Sequence, residues 1–203
     1  MSGNHSPPPL AVQHAQLSDL GMRRANNQDA VISVVTDDPA TWSQRGHLFV
    51  VADGMGAHAA GELASKLAVD NVPTAYFKLP QLSAPAALRQ AVREANQAIN
   101  HKGEHSIDFQ GMGTTCTCLA IVPQGCLVAH VGDSRAYRLR DFSLEQLTFD
   151  HSLIWETAAA GQMSEENLAA VIPKNVITRS LGPHASENVD LEVRHFALQC
   201  RRG

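Results

Sequence analysis

The chain has 203 residues, 44% of them hydrophobic and 18% charged, which excludes a mostly disordered protein and suits one domain or at most two small ones. Sixteen basic against twenty acidic residues give a net charge of −4, and aromatic residues make up 5%. Nucleic-acid domains carry a basic surplus against phosphate and aromatic platforms for bases, so no nucleic-acid partner is expected.

Residues 1–14 read as a flexible lead-in stiffened by Pro7, Pro8 and Pro9, ahead of a single domain over 15–203. The start, MSGNHSPPPL, has no apolar core of a secretory signal. No uninterrupted apolar stretch approaches the roughly 18 residues of a spanning helix. A cytoplasmic chain without a membrane segment is expected. The run Leu48 to Ala52, between Gly46 and Asp53-Gly54, predicts a buried strand that ends in a tight turn. A helix follows over 60–71, with Ala60, Leu63, Ala64, Leu67 and Ala68 on one face and Pro73 as its stop. A second helix is expected over 85–100, capped by Ser83, with Leu88, Ala91, Val92, Ala95 and Ile99 as the face that packs on a sheet.

The middle of the chain turns to β-structure. Residues 114–122 and 126–131 predict a hairpin around Pro123-Gln124-Gly125, followed by strands over 134–139 and 144–147 with a turn at Asp141. Short helices fit 152–160 and 164–170, and Val189, Leu191 and Val193 alternate as a last strand. Cys116 and Cys118, two apart in a strand, share a sheet face and are expected as buried small residues rather than a disulfide. Strands joined by hairpins, with amphipathic helices between them, imply an α+β layered domain.

Three acids stand beside strand-like sequence: Asp29, Asp53 and Asp133. Any one of them alone reads as a turn or cap. Together, strand ends can converge carboxylates on a hard cation, and Gly54 adds a main-chain carbonyl to Asp53. A carboxylate shared by two ions about 3.5–4 Å apart suits phosphoryl hydrolysis by an activated water. Arg24 offers a planar fork for phosphate. His58, five residues past Asp53, is a candidate general acid. No HExxH motif occurs among the ten histidines, and no zinc site is expected.

Six segments in order give these acids a context. Gly21 to Asp29, Val51-Ala52-Asp53-Gly54-Met55-Gly56, Gly111-Met112-Gly113-Thr114-Thr115, Val131-Gly132-Asp133-Ser134-Arg135-Ala136-Tyr137, Asp150-His151-Ser152-Leu153 and Asn175 to Gly182 resemble the motifs of PP2C-type (PPM family) protein serine/threonine phosphatases of the bacterial kind. The resemblance implies an α+β sandwich of two packed antiparallel β-sheets flanked by α-helices. It implies two Mn²⁺ or Mg²⁺ ions bridged by Asp53, one of them also bound by the Gly54 carbonyl. Asp29 would support the metal-bound waters, Asp133 would add a third, weaker metal site, and Arg24 would bind the substrate phosphate. A metal-activated water then attacks phosphorus in line, without a phosphoenzyme. The implied partners are phosphoserine and phosphothreonine proteins and a cognate serine/threonine kinase pathway. The glycines and threonines of 111–115, and the segment 175–182, are expected to shape strand entry rather than touch substrate.

The sequence also departs from the family pattern. Gln28 stands where many relatives have Glu, and Ala57 where glycine is usual, which would strain a backbone position needing positive φ. The family continues beyond the point matching Gly203, through an Asp-Gly and an Asp-Asn motif that each supply a metal aspartate. On the resemblance, the chain lacks the last strands and helix, and impaired activity of a truncated phosphatase is expected. The alternative is a catalytically silent domain on the same fold that binds a phosphoprotein or a regulatory partner.

Overall fold

Alternating apolar residues build the centre of the molecule as one antiparallel sheet with two helices on one face. The computed structural model describes residues 8–22, 26–57, 59–161, 165–168, 173, 176–185 and 192–197. The strands are β1 (Asp29–Val34), β2 (His47–Met55), β3 (Gly113–Thr114), β4 (Cys116–Val122), β5 (Gly125–Val131), β6 (Tyr137–Arg140), β7 (Ser143–Gln146) and β8 (Glu192–Phe196). The helices are α1 (Pro39–Gln44), α2 (Ala60–Phe77), α3 (Ala84–Glu104), α4 (Leu153–Ala159) and α5 (Glu165–Leu168). The sheet runs β1-β2-β4-β5-β8, with β3 paired to the end of β2. Among the described residues the second sheet is the β6–β7 ribbon. No helix among them is long and apolar enough to cross a membrane.

Side chains alternate across the sheet, so its two faces differ. Leu48, Val50 and Ala52 of β2, Cys116, Cys118 and Ala120 of β4, and Leu127 and Ala129 of β5 join one buried cluster with α2 and α3. The α3 face is the expected one, with Leu88, Ala91, Val92, Ala95 and Ile99 fully buried. Cys116 and Cys118 are free, with their sulfurs 3.6 Å apart. The hydrogen bond to Cys116 and then burial push the Cys118 thiol well up, so it stays protonated. Asp53 falls on the opposite face of β2.

Several elements differ from expectation. β1 and α1 were not foreseen, although Ala30, Ile32 and Val34 alternate along β1 and pack against the core. Asp38 caps α1 by accepting from the Thr41 N–H at 2.8 Å, and Pro39 suits its first turn. Pro73 does not stop α2, which continues to Phe77. The lost hydrogen bond, about 3 kcal/mol, is outweighed because Val72, Pro73 and Tyr76 are buried in that last stretch. The strand expected from Ser134 begins at Tyr137, since Ser134 and Arg135 are drawn aside by side-chain bonds. The ribbon turns at Asp141 and Phe142, both at positive φ (47° and 65°), a hairpin twist that aspartate tolerates better than phenylalanine. The last strand is described over 192–196, and Val189 and Leu191 of the expected run lie outside the described residues.

Arg45 ties α1 to the far end of α2. It is 4% exposed, and its guanidinium donates to the carbonyls of Tyr76 (3.0 Å), Gln44 (2.9 Å), Leu82 (3.0 Å) and Leu79. Tyr76 returns the contact by donating its hydroxyl to the Arg45 carbonyl at 2.9 Å. Arg45→Met keeps a flexible apolar stem but leaves buried carbonyls without donors, each worth about 1–3 kcal/mol. Thermal or urea unfolding of that variant is expected to show a loss of about 2–4 kcal/mol. A loss under about 1 kcal/mol would contradict the clamp.

The same clamp predicts an alkaline effect. Burial pushes the Tyr76 phenol up to about 12, against the opposing pull of Arg45. The folded state therefore favours the neutral phenol. Its contribution is complete below the unfolded value of about 10 and is lost as pH rises toward about 12. Wild-type stability should fall across that window, and Tyr76→Phe should fall less steeply while starting about 1 kcal/mol lower at neutral pH. Parallel pH curves for the two proteins would contradict this assignment.

Candidate functional site

The end of β2 is held between the segment before β1 and the first turn of α2. The Gly54 N–H donates to the Gln28 carbonyl at 3.0 Å, and a Cβ at Gly54 would lie 1.9 Å from the Gly61 carbonyl oxygen in the first turn of α2. Only glycine allows that approach of strand to helix. Gln28 closes the same contact from the other side, since a Cβ at Gly61 would stand 2.8 Å from its Cδ. The turn after β2 needs positive φ at Gly56 (146°), and Ala57 is not among the residues at positive φ. The strain expected of Ala57 is therefore absent, because Gly56 takes that conformation.

β1 and β2 pair with Asp29 directly opposite Asp53. Directly opposed residues share a sheet face, with Cβ atoms about 4.5–5.5 Å apart, and like charges there repel. Asp29 opens its strand with its N–H donating to Asn27 Oδ1 at 3.0 Å. The main chain of Asp53 is fixed from β3 and the following residue. Its N–H donates to Thr115 Oγ1 (2.9 Å), and its carbonyl accepts from the Thr115 N–H (2.9 Å) and from Thr114 Oγ1 (3.0 Å).

Asp29 and Asp53 line a cavity of about 420 Å³, together with Asp19, Asn26, Asn27 and Gln28. Asp19 is an addition that the sequence reading passed over. Its Oδ1 accepts from the Gly21 N–H at 2.7 Å, an Asx turn that Asp19 and Gly21 could have signalled. Asp133 does not line this cavity. It lies in the loop between β5 and β6, and its neighbour Ser134 reaches Thr115. Arg24 and His58 lie outside the described residues. Thr114 and Thr115 have the structural role expected of them, and Thr114 also bridges to Leu181 of the 176–182 segment.

The donors around Asp29 and Asp53 are carboxylates and amides, hard oxygens of the kind that suit magnesium or manganese. Among the described residues no group of three or more His, Cys, Asp and Glu converges closely enough to hold an ion. In donor type the pair fits a hard divalent ion, and in number it supplies two carboxylates. His101 and His105 stand four apart at the end of α3, a spacing that could present two imidazoles to a metal. Their rings instead stack at 4.0 Å, and His105 Nδ1 donates to the His101 carbonyl, so the pair finishes the helix.

Residues 22–170 match the protein phosphatase 2C family. Over 182 residues the chain is 37% identical to a putative protein phosphatase 2C-type of Streptococcus pyogenes, covering 87% of this chain and 70% of that relative. Its fold resembles the serine/threonine phosphatase Stp1 from Staphylococcus aureus, with a TM-score of 0.77, 31% identity, and coverage of 96% of this chain and 76% of that one. It also resembles the catalytic domain of the serine/threonine protein phosphatase PstP in complex with two manganese ions, with a TM-score of 0.69, 35% identity, and coverage of 88% and 70%.

Proposed function

The chain belongs to the protein phosphatase 2C family, and we propose that it hydrolyses phosphoserine and phosphothreonine in proteins with divalent metal held at the Asp29–Asp53 pair. The observation that carries this reading is the register that sets the two carboxylates opposite each other at the edge of a polar cavity. Two like charges so placed lower stability, and a cation between them reverses the sign of that interaction.

When bound, manganese or magnesium supplies the positive charge that polarises the phosphoryl group and activates the attacking water. The Asp53 carboxylate and the Gly54 carbonyl would hold that metal, and Asp29 would orient its waters by accepting their hydrogens. Asp133 would add a third, weaker position. Arg24 takes the substrate phosphate through its planar fork, and His58 is the candidate donor of a proton to the leaving alkoxide. The peptide clamps on Asp53 fix the stretch of main chain that carries its carboxylate. No residue has to become covalently phosphorylated. A cognate serine/threonine kinase would supply such substrates, and a cytoplasmic location would put the chain where that kinase has ATP.

The test is phosphate release from a phosphothreonine peptide by the purified chain, with manganese and then with excess chelator. Release that requires manganese is expected. A folded chain that binds the phosphopeptide without releasing phosphate would instead indicate a silent binding domain.

A further inference from the structure

We propose that Thr115 is a positioning residue whose buried hydroxyl couples the Asp53 strand to the Asp133 loop, so that both aspartates meet metal as one unit. The proposal rests on the metal reading of the Asp29–Asp53 pair. Thr115 is fully buried. Its Oγ1 accepts from the Asp53 N–H at 2.9 Å and shares a hydrogen bond with Ser134 Oγ at 2.7 Å. One oxygen atom therefore touches the main chain of Asp53 and the side chain of the residue next to Asp133. Buried hydroxyls have no water to replace such partners, so the link holds the two segments together or leaves both short of a bond.

The rest of the loop is fastened mainly elsewhere, and a longer bond from Thr117 Oγ1 to the Ser134 carbonyl (3.4 Å) ties it to β4. The Gly132 N–H donates to His151 Nδ1 at 3.0 Å, and the His151 N–H donates to the Gly132 carbonyl at 2.8 Å. Arg135 grips both oxygens of Asp150, its Nε lying 2.9 Å from each, and this pairing raises the Arg135 pKa further. These bonds tie the loop to the segment before α4, not to Asp53. Thr115 Oγ1 is the atom that touches both the Asp53 main chain and Ser134. Partners of this kind, one step removed from a metal ligand, typically change metal affinity about 10–100-fold when removed.

The experiment is manganese titration of the full chain by calorimetry, with circular dichroism melts of each variant. Thr115→Val keeps the side-chain shape and removes the hydroxyl, Thr115→Ser keeps the hydroxyl, and Ser134→Ala removes the far partner at a site that is only partly buried. Thr115→Val should raise the manganese Kd about tenfold or more, and Thr115→Ser should stay within about twofold of wild type. Ser134→Ala should also weaken binding, and adding it to Thr115→Val should cost nothing further, since both remove one link. Wild-type affinity in Thr115→Val or in Ser134→Ala overturns the coupling, as does a Thr115→Ser variant as weak as Thr115→Val. Should Thr115→Val not fold, Ser134→Ala decides alone. A wild-type chain that binds no manganese overturns the metal reading, and the coupling with it.

Discussion

Asp53→Asn is expected to lower manganese-dependent hydrolysis of a phosphothreonine peptide on the order of a thousandfold, about 4 kcal/mol of transition-state stabilisation. Asparagine has nearly the same shape, and main-chain bonds to Thr114 and Thr115 hold position 53, so the strand should stay where it is. What disappears is one negative charge and one carboxylate donor for a hard cation. The same substitution removes a like-charge opposition with Asp29 across β1 and β2. The variant should lose most of the stabilisation that manganese gives wild type. A variant that keeps wild-type turnover would show that the chemistry lies elsewhere.

The second large effect is expected at Gly54. An added Cβ would stand 1.9 Å from the Gly61 carbonyl oxygen and 2.7 Å from the Gln28 carbonyl oxygen, and both neighbours are main chain. Neither can swing aside as a side-chain tip could. Either α2 must shift off the end of β2, or β2 must pull away from the segment that leads into Asp29. Gly54→Ala should therefore reduce stability by about 3 kcal/mol or more, the upper range of overpacking. It should also abolish manganese-dependent turnover in whatever fraction still folds. Urea unfolding with a midpoint near that of wild type would contradict this close packing.

The parts of the fold that were legible in the sequence are those whose signal is local. The stripe of Leu88, Val92, Ala95 and Ile99 identified α3 and its buried face, and Leu48 to Ala52 identified the centre of β2. Asp29 and Asp53 could be singled out one by one. That they face each other depends on the register of β1 against β2, and β1 itself was missed because Ala30, Ile32 and Val34 give a weak alternation beside polar Ser33. The α2 helix outran its proline because Tyr76 is held by Arg45, thirty-one residues earlier. Nothing local marks Arg45 as a buried cation, and nothing marks Gly61 as the surface on which Gly54 rests. Thr115 was readable as a shaping residue, but its bond to Ser134 joins positions nineteen apart and belongs to the tertiary structure.

The most direct measurement is diffraction at the manganese absorption edge from crystals of the full chain grown with manganese. Anomalous density against the carboxylate of Asp53, on the side facing Asp29, is the predicted result. Manganese peaks elsewhere with none at this pair would contradict the assignment of the opposed aspartates as the metal site.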